Sequence, residues 1–253
     1  MDIYKALSVL GALAWLPPVI SYFIKLYMKP KLTLIVHPQI EIGYTYNGSI
    51  LNYDLAISAE NKECLVTNIQ TIIEGPNREE HRLDWQWFEE KLYEIDYNNE
   101  IGSTPVRKKQ NAIAIKILKE YLVEKRVGFH EASFKEKYQE AIDATNQKFE
   151  LIIRNSQDPE SVKLTTEYDK FKNLLESSLI WKEGNYKAKV LVKALNVKET
   201  FNTEFHFRLS TNDVKKLQSN TDFAIKVLEQ AYIPKEGFNV FWNWINPNIN
   251  LAK

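Results

Sequence analysis

After Pro30 the chain alternates apolar and polar positions with a period of two. Leu32, Leu34 and Val36 interleave with Thr33, Ile35 and His37, and Ile40, Ile42, Tyr44 and Tyr46 interleave with Glu41, Gly43 and Thr45. Tyr53, Leu55 and Ile57 then alternate with Asn52, Asp54, Ala56 and Ser58. Period two puts successive side chains on opposite faces, so these runs predict half-buried strands. Asn47-Gly48 between two of them predicts a type I′ hairpin turn, although Asn47-Gly48-Ser49 is also formally a glycosylation sequon. Leu65, Ile69 and Ile73 share a further face with Thr67 and Thr71, and Glu74-Gly75-Pro76-Asn77 closes the run with turn residues. The aromatic segment 81–95 admits a short strand. Residues 112–118 (AIAIKIL) alternate as a strand does, in competition with a helix from Lys116 onward.

The period then changes. Phe134, Tyr138, Ala141, Ile142, Thr145 and Phe149 recur at helical spacing, Pro159 interrupts, and Val162, Tyr168, Phe171, Leu174 and Leu175 resume it. This predicts a helical hairpin over roughly 120–177. Strand alternation returns with Tyr186, Ala188, Val190, Val192 and Ala194 on one face and Lys187, Lys189 and Lys193 on the other. Phe201, Thr203, Phe205, Phe207 and Leu209 form one face of a closing strand, before a helical stretch over 212–232.

Gly184-Asn185-Tyr186, at the start of an alternating strand, resembles the tyrosine corner of immunoglobulin-like β-sandwiches. The resemblance covers about ten residues and implies architecture, with no function attached. The paired cysteines of antibody domains are absent, since Cys64 is the single cysteine. The expected fold is therefore mainly β, an immunoglobulin-like β-sandwich with an inserted helical hairpin and an N-terminal transmembrane helix, α+β overall. The expected units are an anchor over 1–30, a β-sandwich domain over 31–210 with the insertion at about 120–177, and a C-terminal helical segment and aromatic tail over 211–253.

The anchor expectation rests on the run from Ala6 to Ile24, uncharged between Lys5 and Lys25. As a helix it would be about 28 Å long, close to the ~30 Å hydrocarbon core of a bilayer. Trp15 and Tyr22 give it aromatic character, and Pro17 and Pro18 predict a kink near Leu16. A cleavable signal peptide ending at Ala12-Leu13-Ala14 and a buried N-terminal helix are the alternatives. Lys25, Lys29 and Lys31 outnumber Lys5, so the positive-inside rule predicts a single-pass protein of the cell inner membrane with a cytoplasmic body.

Lys and Arg (33) balance Asp and Glu (33), which argues against nucleic acid as a partner. The sum hides local fields: residues 74–100 are acidic, and residues 107–126, beginning Arg107-Lys108-Lys109, are basic. One cysteine excludes a disulfide framework and a four-cysteine zinc site. His37, His81, His130 and His206 are scattered without metal-ligand spacing, and Gly43 to Gly48 has the glycine spacing of a phosphate loop but no following lysine. There is no Gly-x-Ser-x-Gly elbow. No cofactor or catalytic residue is expected. The tail carries Phe238, Phe241, Trp242 and Trp244 without charge, and with Arg107, Lys108 and Lys109 these are the candidate interface residues. The function expected is a membrane-anchored binding or assembly module, with the lipid bilayer and a protein partner, or a second copy, as its contacts. The alternatives are a membrane effector that senses a signal and perturbs the bilayer, and an enzyme acting on a membrane-associated substrate.

Overall fold

The alternating segments form strands, and the strands join into one sheet. In the computed structural model, which describes residues 13–96, 103–234 and 236–251, the strands are β1 (Lys31–Thr45), β2 (Gly48–Glu60), β3 (Cys64–Glu74), β4 (Glu80–Asp96), β5 (Ser103–Asn111), β6 (Ile115–Ile117), β7 (Leu122–His130), β8 (Gly184–Ala194), β9 (Thr200–Leu209) and β10 (Asn250–Leu251). The helices are α1 (Leu16–Tyr27), α2 (Ala132–Arg154), α3 (Thr166–Ser177) and α4 (Thr211–Tyr232), with a 3₁₀ turn at Pro159–Leu164.

The ten strands lie in the order β1-β2-β7-β4-β3-β8-β9-β10, with β5 paired to β4 and β6 to β3, and every strand pair is antiparallel. This corrects the expected immunoglobulin-like sandwich: the architecture is one nearly closed, barrel-like sheet, not two sheets face to face. Two features cause the difference. The 17-residue β4 pairs in turn with β3, β7 and β5, so it joins what would otherwise be separate sheets. The aromatic tail then closes the gap. Ile42 and Ile245 exchange backbone hydrogen bonds of 2.8 and 3.0 Å, the Ile249 N–H donates to Pro38 O at 2.8 Å, and β10 pairs with β9. In this way the tail covers the middle of the β1 edge and part of the β9 edge. The tyrosine corner itself does form, with the Tyr186 hydroxyl donating to Lys182 O at 2.9 Å and accepting from the Lys182 N–H. It is a local device that a single sheet uses equally well.

Within the expected helical insertion, β7 is a central stave between β2 and β4. Val127 and Phe129 point into the core while Arg126, Gly128 and His130 lie on the other face, a period of two that the helix formers Leu122 to Lys125 obscure.

The expected anchor is also corrected. Among the described residues no helix is long and apolar enough to cross a membrane. Pro17 and Pro18 carry no backbone N–H, so the helix starts afresh at Leu16 after a turn at Trp15, and it ends at Met28, just ahead of Pro30. Its 12 residues span roughly 18 Å, well short of a bilayer. The single-pass inner-membrane placement falls with it. Residues 1–12 of the expected anchor lie outside the described residues. Two of the flanking lysines pair with carboxylates, Lys29 with Glu199 and Lys31 with Glu60, both at 3.1 Å.

Inside the barrel, Tyr53 stacks on Phe129 at 5.0 Å and meets Phe205 edge-on at 5.9 Å, and its hydroxyl bonds to Thr71 at 2.8 Å. One end is covered by α2, α3 and α4, whose Phe134, Phe149, Tyr168, Phe171 and Leu228 form a second cluster around Tyr44. Asn220 of α4, fully buried, joins this cap to the tail: its Nδ2 donates to Tyr44 O (3.0 Å) and Asn243 O (2.8 Å), and its Oδ1 accepts from the Asn243 N–H (2.9 Å).

Candidate ligand-binding groove

The outer face of β1, β2, β7 and β4 carries a groove, and its floor follows from strand register. Glu41 lies opposite Asn52, Asn52 opposite Gly128, and Gly128 opposite Trp87, so the four form one row across the sheet. The neighbouring row runs Asp54, Arg126, Glu89, Lys109. Directly opposite residues share a face, and the intervening Ile40, Ile42, Leu51, Tyr53, Val127 and Phe129 fill the core, so both rows face outward.

Trp87 reaches this face through a register shift. Strict alternation would put Trp87 on the same side as the buried Trp85. Instead the ladder steps between Trp85, opposite Phe129, and Trp87, opposite Gly128, leaving Gln86 as the extra residue. The bulge re-aims Trp87 outward, while Phe88 and Glu89 continue the alternation. A hydrogen bond from Trp85 Nε1 to Trp87 O at 2.9 Å fastens it.

Two glycines receive the indole rings. A Cβ built on Gly128 would lie 2.1 Å from the Trp87 ring, and one built on Gly43 would lie 2.2 Å from the Trp244 ring. Each ring is therefore seated on bare backbone. The tail delivers Trp244: Asn220 holds Asn243, and Trp242 packs edge-on against Tyr46 at 6.0 Å.

An ion-pair chain stiffens the floor. Arg126 approaches Glu41 at 2.9 Å and Asp54 at 3.9 Å, and Arg107 approaches the same Asp54 oxygen at 3.6 Å. Asn52 Nδ2 donates to Glu41 Oε1 at 2.7 Å. Lys109 Nζ lies 4.3 Å from the centre of the Trp87 ring, a cation–π contact. Beside the groove, Lys125 donates to Glu90 at 2.5 Å, and this bond holds the Glu90 carboxyl below its usual range. Burial pushes the His130 imidazole down, against a backbone hydrogen bond at Glu131; Lys135 and Lys109 add to the depression and Asp84 opposes it.

Among the described residues, two buried oxygens of this face accept no hydrogen bond, Asn52 Oδ1 and Asp54 Oδ1, the second with guanidiniums at 3.6 and 3.9 Å. Such atoms are uncommon in folded proteins and call for an explanation. The space above them measures about 640 Å³ at the aromatic end and about 290 Å³ at the ion-pair end, and Glu89 and Arg126 line both. A cleft of about 710 Å³ beside the tail is larger and mostly polar, but the N-terminus of α4 beneath it is capped by Ser210 and Asp213, and none of the unpartnered atoms faces it.

Of the residues singled out in the sequence, Trp242, Trp244 and Lys109 meet at the aromatic end and Arg107 at the ion-pair end. Lys108 lies opposite Glu90 on the β4–β5 ribbon, and Phe241 is exposed away from the groove. Phe238 is half-buried and lines neither end. Trp15 and Tyr22 are exposed at and within α1, and Pro17 and Pro18 sit in its first turn. Sequence reasoning missed Glu41, Asn52, Trp87, Arg126 and His130. The signal that could have found them is a glycine inside each of two strands, Gly43 and Gly128, which marks a close approach.

No protein-family model matches the chain, and no curated protein matches it. Among solved structures it is distantly similar to a family 123 glycoside hydrolase from Clostridium perfringens (TM-score 0.35, 10% identity over 72% of this chain and 28% of that one). It is also distantly similar to the sporulation control protein Spo0M from Bacillus subtilis (TM-score 0.26, 8% identity, 76% and 56%). The chain thus spans less than two thirds of either neighbour's length.

Proposed function

We propose that the protein is a binding and assembly module that engages its partner along this outer groove and performs no chemistry on it. The observation that carries the proposal is the pair of tryptophan rings seated on Gly43 and Gly128 beside the buried Asn52 Oδ1, which has no hydrogen-bond partner among the described residues. A surface built only for stability would pair such atoms or replace them, because an unsatisfied buried acceptor costs about 1–3 kcal/mol. The non-catalytic part is supported by the state of the acids: Glu41 is held by Arg126 and Asn52, and Asp54 lies between two guanidiniums. Oxygens already faced by protein cations and donors are poorly placed to reach a substrate proton.

The test screens the immobilised protein and its Gly128→Val variant against two defined libraries, a randomised peptide display and a panel of oligosaccharides. The added side chain forces Trp87 off its seat and into the groove. Ligands retained by the wild type and lost by the variant support the proposal. Equal retention by both, or no ligand from either library, overturns it.

A further inference from the structure

We infer that the ligand of this groove is a neutral oligosaccharide of several sugar units; the inference rests on the groove being the binding face. The floor sets the first condition. The Asn52 amide is oriented by its Nδ2 bond to Glu41, so Oδ1 is an acceptor without a donor on a residue only 3% exposed. Asp54 Oδ1 accepts no hydrogen bond either, although the Arg107 and Arg126 guanidiniums stand 3.6 and 3.9 Å from it. A ligand that satisfies both must bring donors.

Charge sets the second condition. Lys109 already occupies a face of Trp87, and Arg126 stands on the neighbouring β7, directly opposite Asp54. A lysine or arginine side chain of a peptide would have to place its charge beside Lys109, Arg126 and Arg107 to reach these acceptors, at a cost in local repulsion. Hydroxyl donors bear no charge. They also accept, so neighbouring hydroxyls can address an acceptor and the Arg126 guanidinium at once. Proline-rich peptides, which suit aromatic grooves, lack the donors.

Shape sets the third. Trp244 is 37% exposed with its six-membered ring against Gly43, so part of its indole surface is open to the C–H side of a sugar ring. From β1 to β4 the groove crosses three strand spacings, roughly 14 Å, and its two compartments lie side by side, sharing Glu89 and Arg126 as lining residues. One sugar unit would leave most of it empty.

The experiment titrates the intact protein calorimetrically with cellohexaose, chitohexaose, xylohexaose and mannohexaose, with the corresponding monosaccharides, and with a randomised peptide pool. Trp244→Ala and Asn52→Leu are run in parallel, and their folding is checked by thermal melts. Binding of at least one hexasaccharide, at least ten-fold tighter than its monosaccharide and weakened about ten-fold by each variant, is the result expected. Binding of peptides alone overturns the sugar assignment and leaves the groove as the binding face. Binding of neither overturns both. Sugar binding that both variants leave unchanged places the sugar elsewhere and overturns the inference.

Discussion

Asn52 separates the demands of binding from those of stability. Its Nδ2 serves Glu41, but Glu41 keeps Arg126 at 2.9 Å when that bond is lost, and its Oδ1 serves no described residue. Leucine has nearly the shape of asparagine. Asn52→Leu should therefore leave the protein as stable as before or raise the stability by about 0.5–2 kcal/mol, because an unsatisfied buried acceptor disappears. Chemical denaturation of the variant measures this, and a loss above ~1 kcal/mol would show that the oxygen has a structural partner after all. The glycines behave oppositely. Gly128→Ala puts a methyl 2.1 Å from the Trp87 ring, and the ring must leave its seat or the strands must part. The expected cost is about 1–3 kcal/mol, with a shift in tryptophan emission that reports Trp87 entering water. A variant with unchanged emission and stability would mean that the ring can tilt freely, and then it would be a poor platform.

At the level of elements, the tail matters more than its composition suggests. Its Ile245 and Ile249 are buried and its backbone joins β1 to β9. Ending the chain after Asn243 should cost about 2 kcal/mol for each isoleucine and leave the edges of β1 and β9 unpaired. Light scattering should then show association that the full chain lacks; a monodisperse truncated protein of unchanged melting temperature would sink the closing role. The same elements show what a sequence discloses. Tyr186 to Ala194 announce β8 because every second side chain is buried. β7 is hidden, since Leu122 to Lys125 suit a helix and only its far half meets the core. The closing segment is hidden more deeply, because it is held by backbone bonds that leave no side-chain period. The bulge at Gln86 belongs to the ladder between β4 and β7, so no local pattern reveals that Trp87 faces out. The groove was half legible for that reason: Trp242, Trp244, Arg107 and Lys109 stood out by type, whereas the floor beneath them depends on register.

For the whole molecule, burial of tyrosines sets the alkaline limit and a few pairs set the acid one. Burial pushes Tyr138 and Tyr186 up to about 12 from 10.0, and it raises Tyr44, Tyr53 and Tyr168 further. A pKa raised in the folded state means that the folded protein holds its proton more tightly than the unfolded chain. The stability involved is complete below pH 10 and is lost as the pH rises through about 12. On the acid side, hydrogen bonds from Lys125 and Lys187 hold Glu90 and Glu204 below their usual 4.5, and burial holds His130 below 6.5. Lowered values reverse the sign, so these contributions are present above the unfolded values and fade as the pH falls through the folded ones. The carboxylates are largely exposed, so the acid limb should be shallow. Burial also raises the Cys64 thiol from 9.0, so urea midpoints against pH should be flat from about 6.5 to 9, fall gently on either side of that window and fall steeply above 10. Tyrosinate absorbance should rise together with unfolding on the alkaline side, because the five phenols ionise only once the barrel and its helical cap open. Tyr53→Phe removes one of the most deeply buried of them and should make the alkaline fall shallower, while costing about 1–3 kcal/mol at neutral pH through the unpaired Thr71 hydroxyl. An alkaline limb equally steep in Tyr53→Phe would assign the loss to other groups.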